Sequence, residues 1–288
     1  PFVFGIGEKY EIDIACDLKS KMEVYQLMYR LYNNPEVGYA TEDSSQMWYS
    51  LFNALADTTT IVVRDVLSKK LVATLTMVFD SVLGLPFEES YPEQMAMLRS
   101  KNRRCAEIIS LGFEDTVRGS NEILIQLFRQ AYLVARCIYF ASDFLIKIKP
   151  IHALFYERNL LFEVIGEEVT CAKINNKPMI LYRLNLEKAQ AEAQNAIDKN
   201  IKLNNLELYK SFVKDQHCKE LVGALQKKAC CSEMTRSDLE YLFMQEKKIF
   251  QNANPDILFK IARMYKDEDA RSFLQKTAKL FHENYLLA

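Results

Sequence analysis

The chain has 288 residues, 49% hydrophobic and 26% charged, with only 8 glycines and 7 prolines, which excludes a fibrous or disordered polymer and predicts a folded protein long enough for two cores. Lys plus Arg (37) balances Asp plus Glu (38), so no overall field draws it to nucleic acid, which is not an expected partner. No run approaches the ~20 apolar residues of a membrane span, and seven cysteines without a C-x-x-C pair predict a reducing cytoplasm rather than a disulfide framework or a metal site.

Tyr10 to Cys16 alternates as a short strand, and Lys21 to Leu31 carries Met22, Tyr25, Met28 and Leu31 at helical spacing. A turn at Asn33-Asn34-Pro35 and a short helix around Gln46 to Leu55 lead to two β-rich runs, Thr59 to Asp65 and Leu71 to Asp80, read as a hairpin. The linker Ser81 to Tyr91 precedes a helix from Glu93 to Ser100. Cys105 to Phe113 is a strand too apolar for an edge, and alternation places Cys105, Glu107, Ile109, Leu111 and Phe113 on one of its faces.

Beyond the polar loop Glu114 to Ser120, Asn121 to Ile138 reads as an amphipathic helix, Phe144 to Ile148 as a strand, and Pro150 as the first position of a helix reaching Asn159. Phe162 to Cys171 and Met179 to Leu184 are two further strands. The order β-α-α-β-β-α-β-α-β-α-β-β predicts an α/β (α+β) fold, a mixed and mostly antiparallel sheet whose central strands are a parallel pair joined by the helix Asn121 to Ile138.

From Glu187 onward only helical patterning remains, with cap signals at Ser237 with Glu240 and at Asn254 before Pro255. The expected division is therefore residues 1–186 and 187–288. The helical part is read as a packing unit or, from Leu239 to Phe250 with Phe281 and Leu286, as a dimerising or peripheral membrane surface. The opening Pro1 points to sequence upstream. Cys230-Cys231 lacks ligand spacing and reads as small apolar side chains rather than a metal or redox site.

Three places carry chemistry. Glu107 lies among apolar neighbours; a buried carboxylate either pairs with a cation such as Arg103 or Arg104 or has its pKa raised into the range of a general base. Tyr156, in the run His152-Ala153-Leu154-Phe155-Tyr156, reads by itself as a core tyrosine tethered by its hydroxyl and is the residue on which a family resemblance bears. Arg118-Gly119-Ser120-Asn121 offers an arginine, a flexible glycine and the free amides of a starting helix, enough to hold one phosphate or to make a capped turn.

Phe155 and Tyr156 match the F-Y of the A-x-x-F-Y-x-x-x-G-F motif of the GCN5-related N-acetyltransferase superfamily, with Ala153 and Phe162 each one position out of its spacing and Leu161, before Phe162, in place of the glycine. Together with Ala73 to Thr76, the insert Gly84 to Arg104 and the run Ala106-Glu107-Ile108, the chain resembles the long-chain N-acyl amino acid synthases from Tyr10 to Leu186. That resemblance implies transfer of a fatty acyl group from the phosphopantetheine of acyl carrier protein, or from coenzyme A, to the α-amine of an amino acid, with no tightly bound cofactor and no metal. Glu107 and Tyr156 take the catalytic roles. Leu111, Phe113 and Arg118 to Asn121 fall where the phosphopantetheine arm binds, and the degraded glycine loop leans toward the carrier-bound donor.

His152 is a candidate for holding substrate or capping its helix. Arg30, ahead of Tyr32 and Tyr39, is a candidate for the acceptor's carboxylate because a guanidinium grips it with two hydrogen bonds. The competing readings are an acetyl-coenzyme A-dependent acetyltransferase and a non-catalytic acyl or carrier-protein binding module. An acyl-homoserine lactone synthase is disfavoured, because Trp48 is the only tryptophan and Asn33-Asn34-Pro35-Glu36 replaces that family's acidic run.

Overall fold

The computed structural model describes residues 4–6, 8–33, 44–171, 176–200, 208 and 213–286. Its strands are β1 Phe4–Ile6, β2 Tyr10–Ile14, β3 Thr59–Asp65, β4 Leu71–Phe79, β5 Cys105–Phe113, β6 Asp143–Ile148, β7 Glu163–Val164, β8 Val169–Cys171 and β9 Lys177–Asn185. They run in the order β1-β2-β3-β4-β5-β6-β9-β7, with β8 also on β9. Every pairing is antiparallel except β5 with β6, the predicted central parallel pair.

The helices are α1 Leu18–Tyr32, α2 Pro92–Ser100, α3 Asn121–Leu133, α4 Ala153–Leu160, α5 Leu186–Asp198, α6 Lys219–Cys230, α7 Arg236–Glu240, α8 Pro255–Ala262 and α9 Glu268–Leu286. One face of the sheet is covered by α3 to α6, through Ile123, Leu127, Phe128, Tyr156, Leu160, Ala189 and Leu225. The other is covered by α1, α2 and α7 to α9, through Val24, Met28, Met95, Leu239, Leu258 and Leu274. They are called the α3 face and the α1 face below.

Several boundaries differ from the sequence reading, each for a local reason. α1 starts a turn early because Asp17 caps it, its carboxylate accepting from Ser20 N at 2.8 Å. The expected helix at Gln46 to Leu55 is a single 3-10 turn, Leu51–Ala54, and α3 loosens into a π turn over Val134–Ile138. Phe162 to Cys171 is two short strands, broken where Gly166 passes against Tyr91; a Cβ there would sit 2.5 Å from that ring. Thr235, not Ser237, caps α7, accepting from Asp238 N, whereas Asn254 caps α8 as expected. The turn at Asn34-Pro35 and Tyr39 lie outside the described residues.

The amphipathic run in the helical region is turned inward. Leu239, Leu242, Phe243 and Phe250 are fully buried among Tyr25, Tyr49, Ala54 and Leu55 of the first half, and Tyr265 donates its hydroxyl to Ala54 O at 2.8 Å. Among the described residues no helix is long and apolar enough to cross a membrane. Cys230 and Cys231 are exposed rather than packed.

At the start of β6 the fully buried Asp143 accepts from Arg103 Nε and from Arg183 Nε, both at 2.6 Å, and from Ser142 Oγ at 2.6 Å. Arg103 reaches on to Glu187 at 2.8 Å. Breaking a buried ion pair leaves charge without a partner, so Asp143→Ala should lower unfolding free energy by about 3 kcal/mol, read as the shift in a urea midpoint. We propose that residues 187–288 fold with the first half rather than apart from it. Truncation after Leu186 should then give insoluble protein, and a soluble, cooperatively melting 1–186 fragment would refute that.

Candidate functional site

The parallel pairing of β5 with β6 covers only Cys105↔Asp143, Ala106↔Phe144 and Glu107↔Leu145. Beyond it β5 stays with β4 as far as Phe113↔Ala73, while β6 stays with β9 as far as Ile148↔Ile180. Each strand follows its outer neighbour, and the sheet opens into a V. The cause is visible in the register: Thr76 faces Ser110 and Met77 faces Ile108, so Ile109 is an extra residue that bends β5.

That bulge also corrects the alternation read from sequence. Cys105 and Ile109 pack on the α1 face, but Leu111 and Phe113 pack on the α3 face. Gly112 therefore turns toward α1, where a Cβ would meet Leu31 and Met28 at 2.7 Å. Glu107 and the pair Leu111 and Phe113 lie on opposite faces of one strand.

Glu107 is 2% exposed. It makes no ion pair with Arg103 or Arg104; Arg103 is held by Asp143 and Glu187. Its Oε2 accepts from Phe87 N at 2.8 Å, an amide of the 3-10 turn Pro86–Glu89 in the insert. Burial pushes the carboxyl up to about 7, against the opposing pull of Lys147 and of the Phe87 bond. A carboxyl poised there exchanges protons near neutral pH.

Tyr156 lies on the other side of the sheet. It is buried on the α3 face, edge-on to Phe155 and to Phe162, both at 5.6 Å between ring centroids. Burial raises its phenol well above the ordinary value, which keeps the hydroxyl protonated and so able to donate. Its hydroxyl makes no hydrogen bond among the described residues, so no tether holds it there.

At the mouth of the V, Gly119 takes φ +81° with open space around it, and Ser120 Oγ accepts from Ile123 N to cap α3. Asn121 is the first residue of that helix. Arg118 is exposed and bound to Asp115 at 2.8 Å. Arg30 is likewise exposed and ion-paired with Glu114 at 2.5 Å, so it stands on the rim rather than beside Glu107. His152 precedes α4 but makes no capping bond; its ring is outside the core, held below its usual pKa by partial burial and by Lys149.

Two surface cavities lie elsewhere: one of about 210 Å³ lined by Leu161, Asn185 and Lys188, another of about 250 Å³ lined by Phe52, Leu83 and Ile257. Neither is lined by Glu107 or Tyr156. Two groups that sequence patterning did not single out are Phe87, whose amide seals Glu107, and Lys147. The available signal for the second was a lysine between Ile146 and Ile148 in an otherwise apolar strand.

Comparison with known proteins gives the family described as N-acyl amino acid synthase FeeM, matched over residues 23–185. Among solved structures, FeeM from uncultured soil microbes superposes with TM-score 0.53 at 21% identity, covering 63% of this chain and 93% of that one. The acyl-homoserine lactone synthase LasI aligns with TM-score 0.45 at 13% identity over 61% and 88% of the two chains. The CoA-dependent acyl-homoserine lactone synthase BjaI gives 0.46 at 8% over 67% and 81%. No curated protein matches in sequence. At 21% identity the likeness to FeeM establishes the fold.

The raised carboxyl has a measurable thermodynamic signature. Between its ordinary value of 4.5 and about 7, folded Glu107 keeps a proton that the unfolded chain has released. Its contribution to stability is full below that window and lost as pH rises through 7. In Glu107→Gln this loss should vanish, so the variant should gain up to about 3 kcal/mol on the parent between pH 4.5 and 8, measured by urea unfolding across pH. A constant difference would contradict the buried, proton-holding state.

Proposed function

Because the chain belongs to the FeeM family of N-acyl amino acid synthases, its reaction class is N-acyl transfer, and we propose that it moves a long-chain fatty acyl group from acyl carrier protein to the α-amine of an amino acid. The observation that carries the reading is the V between β5 and β6, with a fully buried carboxyl of near-neutral pKa at its apex.

In this reading the thioester arm enters along the open edge of β5, where backbone groups beyond Glu107 have no β6 partner and an extended pantetheine chain can pair with them. Leu111 and Phe113 on the α3 face line its path. A single phosphodiester lies at the Gly119-Ser120-Asn121 start of α3, where free amides and the helix dipole favour an anion, with Arg118 at the edge. One phosphate site of this kind suits a carrier-bound arm better than the pyrophosphate and 3′-phosphate of coenzyme A. Such a donor places the reaction in the cytoplasm.

The amine of the acceptor loses a proton to Glu107, and its lone pair attacks the thioester carbon. The C–N bond forms, the nitrogen sheds its second proton as the amide is made, the C–S bond breaks, and the departing thiolate takes its proton from Tyr156, whose phenolate regains an equivalent proton through solvent. The products are an N-acyl amino acid and the free phosphopantetheine thiol. Glu107 must release its proton to solvent before the next turn, which a carboxyl near 7 does readily.

Incubation of the protein with a long-chain acyl carrier thioester and mixed amino acids, followed by mass spectrometry, should give amide-linked lipids, whereas acetyl-coenzyme A should give no acetylated amino acid. Glu107→Gln should lower kcat/KM by about two to four orders of magnitude and Tyr156→Phe by about two. The parent's kcat/KM should fall below pH ~7, as the base becomes protonated, and level off above it. Unaltered turnover in Glu107→Gln would refute the assignment, and binding of the carrier without any turnover would favour a non-catalytic module.

A further inference from the structure

Arg30 is engaged by Glu114 on the rim, yet an amino acid whose amine meets Glu107 has to place its carboxylate close by. Lys147 stands two residues beyond Leu145, the last β6 residue paired with β5, so the pleat turns both toward the α1 face, where Glu107 lies. Its partner across the ladder, Leu181, is buried on that same face. Lys147 is half-buried and makes no ion pair among the described residues.

Other cations bordering this region are committed. Arg99 is bound to Asp80 and Glu88, Arg103 to Asp143 and Glu187, Arg183 to Asp143 and Lys188 to Glu163. Adjacent strands lie ~4.8 Å apart, and here they begin to part. Glu107 and Lys147 thus present opposite charges across a widening gap, without a hydrogen bond joining them.

We propose that Lys147 holds the α-carboxylate of the amino acid acceptor while Glu107 receives the proton of its amine, so that the pair selects α-amino acids over simple amines. An α-amino acid carries both groups on one carbon, and its recognition needs an acceptor and a cation side by side. The inference rests on the acyl-transfer reading above. Lys147 makes and breaks no bond in it; its ammonium fixes the acceptor so that the nitrogen faces the thioester carbon.

The test uses the full chain with Lys147→Met and Lys147→Arg, comparing one amino acid with the matching amine that lacks the carboxylate. For Lys147→Met, KM for the amino acid should rise roughly ten- to hundredfold while KM for the carboxylate-free amine stays level, and Lys147→Arg should recover most of the loss. The groups facing Glu107 are Lys147, Glu88 and the Phe87 amide, so removing the lysine also moves the acid limb of the pH profile upward, for both acceptors alike. Only a contact with the carboxylate makes the KM change selective. Equal losses for the two acceptors, or an unchanged KM for the amino acid, would overturn the proposal. Were the parent to acylate no amine, the acyl-transfer reading would fail by itself; calorimetric binding of the amino acid would still decide this one, and equal affinity in parent and Lys147→Met would overturn it.

Discussion

The shape of the site depends on one buried carboxylate. Asp143 sits where β5 and β6 are still paired, and its two oxygens accept from arginines on either side, Arg103 ahead of β5 and Arg183 on β9. A charge this deep is tolerable only with such partners. With them it fixes the register of three strands at one end, and that end can then stay closed while the other opens. The opening itself comes from the extra residue Ile109, which bends β5 away toward β4. Without the clamp the bulge would have no fixed point to bend from, and without the bulge the parallel pairing would continue past Glu107 and leave no gap.

The same clamp links the site to the helical region. Arg103 spans from Asp143 to Glu187 at the start of α5, and the helices beyond it cover both faces of the sheet, α5 and α6 on one and α7 to α9 on the other. The last hundred residues therefore supply apolar cover that the sheet would otherwise lack. On the α1 face the insert between β4 and β5 completes that cover, with Phe87 and Tyr91 packed over Glu107 and Leu181. Tyr91 is itself fixed, its hydroxyl within hydrogen-bonding distance of Glu167 O and Met179 O. Exclusion of water by these layers is what holds Glu107 near neutral pKa; an exposed glutamate at the same position would ionise near its ordinary value and be a weaker base.

Much of this was legible in the residues. Strand and helix periodicity gave the central parallel pair and the crossover helix, because both depend on local alternation and length. A carboxylate in an apolar strand marks Glu107 as either ion-paired or raised, and its burial away from Arg103 and Arg104 decides for the second. What patterning could not give was the inversion at Ile109: a bulge leaves no mark in a run such as Ile108-Ile109-Ser110-Leu111, where every residue tolerates either face. Plain alternation therefore puts Leu111 and Phe113 on the face of Glu107. Arg30 looked available because its partner, Glu114, is 84 residues away, and Lys147 looked ordinary because the strand that it faces lies 40 residues upstream. Long-range pairing decides both, and a single sequence does not encode it in any local pattern.

The bulge inversion has a chemical consequence. Acyl transfer to an amine requires a proton to leave nitrogen and another to reach sulfur. Glu107 projects to the α1 face and Tyr156 lies on the α3 face, so in an intact sheet the backbone would separate them from any common substrate. In the proposed reaction the V is where a bound molecule passes through the plane of the sheet and meets both. On the proposed mechanism the attacking nitrogen arrives from the α1 side, between Glu107 and Lys147, and sulfur departs on the α3 side toward Tyr156. On that mechanism the switch of faces at Ile109 lets one strand serve both tasks, presenting the base before the bulge and apolar contacts for the acyl arm after it.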